Sequence, residues 1–304
     1  MDNSAGVRDA DPLVRARAEG EYHLEYHDEE VARLAAQHEV FLDAMSKLVF
    51  APVDLGRNGL RILDSGTADG MPAPRGHYTS TSTEFILGRW LVDLRAYLRC
   101  KDNVLIGTDS VERMFPPTPP EGISLQVQRV DKPWPQSWLG SFDYVHQRLV
   151  LPGCEYCPAA TAVKNLCDLV KPGGWVEILE QDHNPPTPGA FERAESMIRE
   201  IFTVNGFGYD YPLRIKKWLE DAGMQDVRQE VIDVPVGALN PNPEMAQKST
   251  WQISSALAGF LPMARALPLS MPRDQLESLP EHTAEEMKRV GGIQRIYIVY
   301  GRKP

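Results

Sequence analysis

Three acids and a glycine turn are the residues in this chain best placed to do chemistry. The stretch Asp64-Ser65-Gly66-Thr67-Ala68-Asp69-Gly70 follows the apolar run Leu60 to Leu63, Asp109 closes LIGTD, and Asp131 sits in QRVDKPW. Glycines at the end of a strand let the backbone turn sharply and approach a ligand where side chains would block it. A carboxylate after the second strand can accept hydrogen bonds from both hydroxyls of a ribose. An acid after the third is placed to take a bond from an adenine amino group, with Trp134 beside it as an apolar lid. Any one of these acids alone is explained as well by a helix cap or a solvated turn. Their recurrence at successive strand ends points to a nucleotide-like cofactor.

A parallel sheet is the element that brings such residues together. Short apolar runs at Leu60 to Leu63, Val104 to Ile106, Leu125 to Val127, Phe142 to Val145 and Trp175 to Leu179 alternate with helical stretches. That alternation predicts an α/β fold, a sheet wrapped by helices, with ligands beyond the carboxyl ends of its strands. The period of RWLVDLRAYLRCK predicts a helix starting at Arg89, with Trp90, Leu91, Leu94, Tyr97 and Leu98 on one face. Upstream, HDEEVARLAAQHEVFLDAMSKLVF reads as an amphipathic lead-in helix that packs on the rest of the molecule. Residues 1–18 are polar and charged and are expected to be disordered.

Composition excludes several function classes. The 304 residues are 42% hydrophobic and 24% charged, enough for a substantial core in one large domain. No apolar run approaches the roughly 20 residues of a membrane helix, and MDNSAGVRDADP lacks the layout of a secretory signal, so a cytoplasmic protein without a membrane partner is expected. A formal charge of −10 argues against nucleic acid as a partner and in favour of a small molecule. Of the four cysteines only Cys154 and Cys157 form a CxxC pair, and His23 and His27 sit four apart. A zinc site needs about four ligands, and neither pair has its complement, so no metal is expected. The oligomeric state is left open.

Taken in order, LDSGTADG, IGTD, FDYVHQR, LVKPGGWVEI and IVYGRK resemble the class I S-adenosylmethionine-dependent methyltransferases. More narrowly, the chain resembles the fungal LaeA-like group that methylates or regulates secondary metabolites, from about Tyr22 to the C-terminus. The resemblance implies a Rossmann-like, mostly parallel seven-stranded sheet in a single methyltransferase domain over 19–304. It places a closing antiparallel pair at Val227 to Val236 and Gln294 to Gly301, and a helical substrate cap at 240–291. Met245, Trp251, Ile253, Leu257, Phe260, Leu261 and Met263 would be mostly core, one or two facing substrate. S-adenosylmethionine is the implied cofactor, with Asp64, Ser65, Gly66, Gly70, Asp109, Asp131 and His146 as its binding residues. The implied chemistry is in-line displacement, which needs alignment and desolvation above all. His146 is the candidate general base, read equally well as a structural histidine. The expected activity is N- or O-methylation of a small secondary metabolite, a diketopiperazine-type or other peptide-derived product among them. A pericyclase on the same fold and a LaeA-like regulator are the alternatives.

One segment departs from the family. Its glycine turn feeds directly into a helix, but here 18 residues, Met71 to Gly88, intervene with two prolines and a run of Thr and Ser. Without them the spacing from Asp64 to Asp109 falls from 45 to 27 positions, close to the family's. The insertion reads either as a lid at the cofactor mouth or as a translated in-frame intron of 54 nucleotides. The intron is favoured, because cutting there restores an ordinary family sequence.

Overall fold

The structure, a computed structural model, describes residues 28–67, 89–100, 102–112, 115, 118–184 and 189–304. The N-terminal stretch, His23, His27, Gly70 and the insertion 71–88 lie outside the described residues.

The chain enters through α1 (Asp28–Met45), which stops where Ser46 takes a positive φ of 57°. It packs against a later helix, α6 (Pro243–Ala266), and against β6 (Gln225–Val236). The lead-in thus joins the N-terminus to the C-terminal third. A seven-stranded sheet follows, built from β1 (Arg61–Ser65), β2 (Val104–Asp109), β3 (Ile123–Val127), β4 (Phe142–Arg148), β5 (Val170–Asp182), β6 and β7 (Gly292–Arg302). Its order is β3-β2-β1-β4-β5-β7-β6, with β7 antiparallel to both its neighbours and every other pairing parallel.

Both faces of the sheet are covered, so its central strands carry buried apolar side chains on both sides. On one face Ile62, Leu105 and Tyr144 pack with Trp90, Leu91 and Leu94 of α2 (Arg89–Tyr97). On the other, Leu63, Ile106 and Val145 join the main core with Val163, Leu166 and Leu169 of α3 (Ala159–Leu169). Tyr97, expected on the buried face of α2, is instead 59% exposed at the last residue of the helix, where the packed face has run out.

The Pro172-Gly173-Gly174 turn is absorbed into β5 as a bulge. Phe142 pairs with Val170, but Tyr144 already pairs with Trp175. Gly173, at φ 81°, gives the bulge its left-handed residue. Two further helices, α4 (Gly189–Val204) and α5 (Ile215–Asp221), follow β5. Between β6 and β7 the chain forms α6 and α7 (Arg273–Arg289), which pack together. Asn242 caps α6 by accepting from the Glu244 N–H at 3.1 Å, ahead of Pro243 in the first turn, where a missing N–H does no harm. Among the described residues no helix is long and apolar enough to cross a membrane.

Candidate active site

A cavity of about 1050 Å³ opens over the carboxyl ends of the parallel strands. Its wall draws on β2 (Asp109), β1 (Asp64, Ser65), β4 (His146), β5 (Glu180, Gln181) and β7 (Gln294). Five neighbouring strands at about 4.8 Å spacing span roughly 19 Å, room for two small ligands side by side.

The turn after β1 is built on glycine. Gly66 has φ 74°, and a Cβ there would lie 2.1 Å from Val150 Cγ2. The N–H groups of Gly66 and Thr67 both donate to the Thr108 carbonyl at 2.8 Å, tying the turn to β2. Asp64 sits inside β1 rather than in the turn, opposite His146 on β4. Its Oδ1 lies 2.7 Å from His146 Nδ1, both side chains are buried, and the imidazole lies flat on Trp90 at 3.8 Å and 3°. The His146 ring is therefore clamped on two sides and keeps only Nε2 for a ligand. Ser65 is buried and donates to Gln147 Oε1 at 3.1 Å.

Asp109 stands at the mouth of β2, half-buried, with Oδ1 accepting from the Val111 N–H at 3.1 Å. Asp131 is used differently. Oδ1 and Oδ2 take Arg129 at 2.9 and 3.0 Å, and Oδ2 also takes the N–H groups of Glu155 and Tyr156 at 2.6 and 3.0 Å. Burial pushes its carboxyl up, but Arg129 and the two backbone donors outweigh it and hold the group below its ordinary value. Asp131 thus fastens the loop after β4 beside the cavity, which it lines with one oxygen less engaged.

Four polar atoms around the turn are buried with no partner among the described residues: Thr67 Oγ1, Thr108 Oγ1, His146 Nε2 and Gln147 Nε2. Together with the side-chain-free turn at Gly66 and the carboxylate of Asp109, they fit a nucleoside-bearing cofactor.

The other end of the cavity was not legible as a site in the sequence. Glu180 on β5 is fully buried, accepting from the Val150 and Leu151 N–H groups at 3.0 and 2.9 Å and from Tyr211 Oη at 3.0 Å. Burial pushes its carboxyl up to about 7 against those three donors. Beside it a chain of side chains links four elements. Gln252 of α6 donates to Gln294 of β7 at 3.3 Å, Gln294 to Gln181 of β5 at 3.2 Å, and Gln181 to Glu195 of α4 at 3.3 Å. Glu195 Oε2 lies 2.5 Å from His183 Nδ1. All five are buried and line the cavity. The one signal available was polar residues inside the apolar strand WVEILEQDH. Ile253, Leu257, Phe260 and Met263, on one apolar face of α6, also line the cavity. Cys154 and Cys157 line the cavity as free thiols, and burial pushes both up. No group of three or more His, Cys, Asp or Glu suited to a metal occurs among the described residues.

Strand order, the single reversed strand and a ligand cavity over the β1 and β2 ends define a class I methyltransferase fold. A solved structure shares it: phosphoethanolamine N-methyltransferase 2 of Haemonchus contortus, with TM-score 0.51 at 14% identity over 98% of this chain. This chain spans 61% of that nematode enzyme. No family model matches the chain. Relatives in fungi do: N-methyltransferase sirN of Leptosphaeria maculans is 31% identical over 94% of this chain and 96% of its own. N-methyltransferase tcpN of Claviceps purpurea is 34% identical over 91% and 95%. The chain belongs to this family of fungal, S-adenosylmethionine-dependent methyltransferases of secondary metabolism.

Proposed function

We propose that the chain methylates a nitrogen of a small, diketopiperazine-type or other peptide-derived metabolite in the cytoplasm. The observation that carries this is one cavity running from the Gly66 turn to an apolar face of α6 lined by Ile253, Leu257, Phe260 and Met263. Such a cavity suits an uncharged, compact acceptor held against the cofactor end, and N-methyltransferase is the name borne by both fungal relatives above.

When bound, S-adenosylmethionine supplies an electrophilic methyl group on a sulfonium. The chain's own work is binding and exclusion. The turn at Gly66, with Ser65 and Gly70, would receive the methionine end, Asp109 the ribose and Asp131 the adenine side. His146, fixed by Asp64 and Trp90, would line the cofactor. The segment 240–291 would serve as the substrate cap, its α6 face keeping water from the acceptor nitrogen.

The test is incubation with methyl-labelled cofactor and extract of the producing strain. Label is expected in one N-methylated metabolite, and the gene-deleted strain should accumulate its unmethylated form. A rearranged product without label would mean a pericyclase, and transcript changes across a whole gene cluster on deletion would mean a regulator. Either result refutes the proposal.

A further inference from the structure

The His183–Glu195 pair lies in the same cavity as the residues assigned to the cofactor, but on different elements. His183 follows the last residue of β5, and Glu195 comes from the second turn of α4. With Glu195 Oε2 accepting the Nδ1 proton at 2.5 Å, the neutral imidazole has its lone pair on Nε2, and no described residue hydrogen-bonds that atom. The ring is held rigidly. Phe202 meets it edge to face at 5.5 Å, and Arg199 donates to the His183 carbonyl at 2.5 Å while pairing with Glu192. The far side of Glu195 is braced by Gln181, itself held through Gln294 and Gln252.

His146 offers a contrast. Its Nε2 is buried beneath the turn after β1, and its ring is sandwiched between Asp64 and Trp90. His183 is six residues beyond Glu177, the position opposite His146 in the β4–β5 register, which places it roughly 20 Å further along the strand direction. It lines the same cavity as the α6 face, where the acceptor is placed.

We infer that His183 is the group that takes the proton from the acceptor nitrogen, with Glu195 as its positioning residue. This rests on the reading of the acceptor as a nitrogen that carries hydrogen. As the nitrogen lone pair forms the new N–CH3 bond, the methyl–sulfur bond breaks and its electron pair stays on sulfur, leaving a neutral thioether. The N–H proton passes to His183 Nε2. The imidazolium so formed is stabilised by the Glu195 carboxylate and later returns its proton to water. The charged groups near the pair are Glu195, which holds the ring, Arg199, bonded to the His183 carbonyl, Glu180, whose carboxyl burial keeps protonated up to about 7, and Asp182, which accepts from the Asn184 N–H.

The experiment uses the full chain and, as acceptor, the unmethylated metabolite that accumulates in the gene-deleted strain. His183→Ala should lower kcat by about 10²–10⁴-fold. Its cofactor Kd by calorimetry should stay within about twofold of wild type, and added imidazole should restore part of the rate. Glu195→Gln should lower kcat less and shift the acid limb of the kcat profile to lower pH, because the neutral amide no longer supports the imidazolium. Loss of rate with no imidazole rescue and an unchanged pH profile in Glu195→Gln would assign the pair a structural role and overturn the inference. So would a His183→Ala kcat within threefold of wild type. If wild type binds cofactor and transfers methyl only to oxygen or carbon, the nitrogen reading falls first and the inference with it. Transfer to nitrogen with His183 dispensable leaves the parent reading standing and removes only the inference.

Discussion

Replacing Gly66 by alanine separates two physical penalties that coincide at the cofactor turn. The first is conformational: an L-residue at φ 74° costs about 1–2 kcal/mol. The second is steric, because the new Cβ would lie 2.1 Å from Val150 Cγ2 and 3.3 Å from Val150 Cβ. Overpacking of this kind costs about 1–3 kcal/mol, so Gly66→Ala should lose roughly 2–5 kcal/mol. Gly59 is the internal control. It has φ 66°, and a Cβ there would meet nothing within 4 Å, so Gly59→Ala should lose only the conformational part, about 1–2 kcal/mol. Urea denaturation of wild type, both single variants, Val150→Ala and Gly66→Ala/Val150→Ala measures each quantity. The double variant should be more stable than the sum of its singles predicts by about 1–3 kcal/mol, since alanine at 150 removes the clashing methyl. Cofactor Kd should rise in Gly66→Ala and stay unchanged in Gly59→Ala, because the N–H groups of Gly66 and Thr67 hold the turn against β2. Equal urea midpoints for the two glycine variants, or strict additivity at 66 and 150, would refute the close-approach reasoning.

Other consequences can be checked separately. Glu180, pushed from 4.5 up to about 7 by burial, keeps its proton in the folded state over a range where the unfolded chain has lost it. Its contribution is full below about pH 4.5 and lost as pH rises through about 7, a change of a few kcal/mol. The stability difference between wild type and Glu180→Gln should therefore change steadily across pH 5–8 in urea titrations, and a constant difference would exclude the raised value. Phe260→Ala should raise the KM for the metabolite about tenfold and leave the cofactor Kd unchanged in calorimetry, since Phe260 lines only the α6 side of the cavity. Mature message should lack the 54 nucleotides encoding Met71 to Gly88, and reverse-transcription sequencing that finds them in a cofactor-binding protein would refute the intron reading.

The sequence by itself determined the parts of this protein that depend on neighbours along the chain. Alternating apolar runs specified five parallel strands, because a sheet covered on both faces needs short runs rich in Val, Ile and Leu. Gly66 was legible because a tight turn at a strand end tolerates few residues other than glycine, and α2 was legible from the period of Trp90, Leu91 and Leu94. Periodicity could not separate Asp131 from Asp109. Both lie at or after a strand end, but one is drawn into Arg129 and the N–H groups of residues 24 and 25 further on, while the other stands at the cavity mouth. Tertiary structure alone decided the far end of the cavity. Gln181 and Gln294 are 113 positions apart, Gln252 and Gln294 are 42 apart, and His183 meets Glu195 only because α4 folds back across the end of β5. Side-chain pairs between elements leave no local period, since what selects them is the cost of leaving a buried polar group unpaired once the sheet has closed.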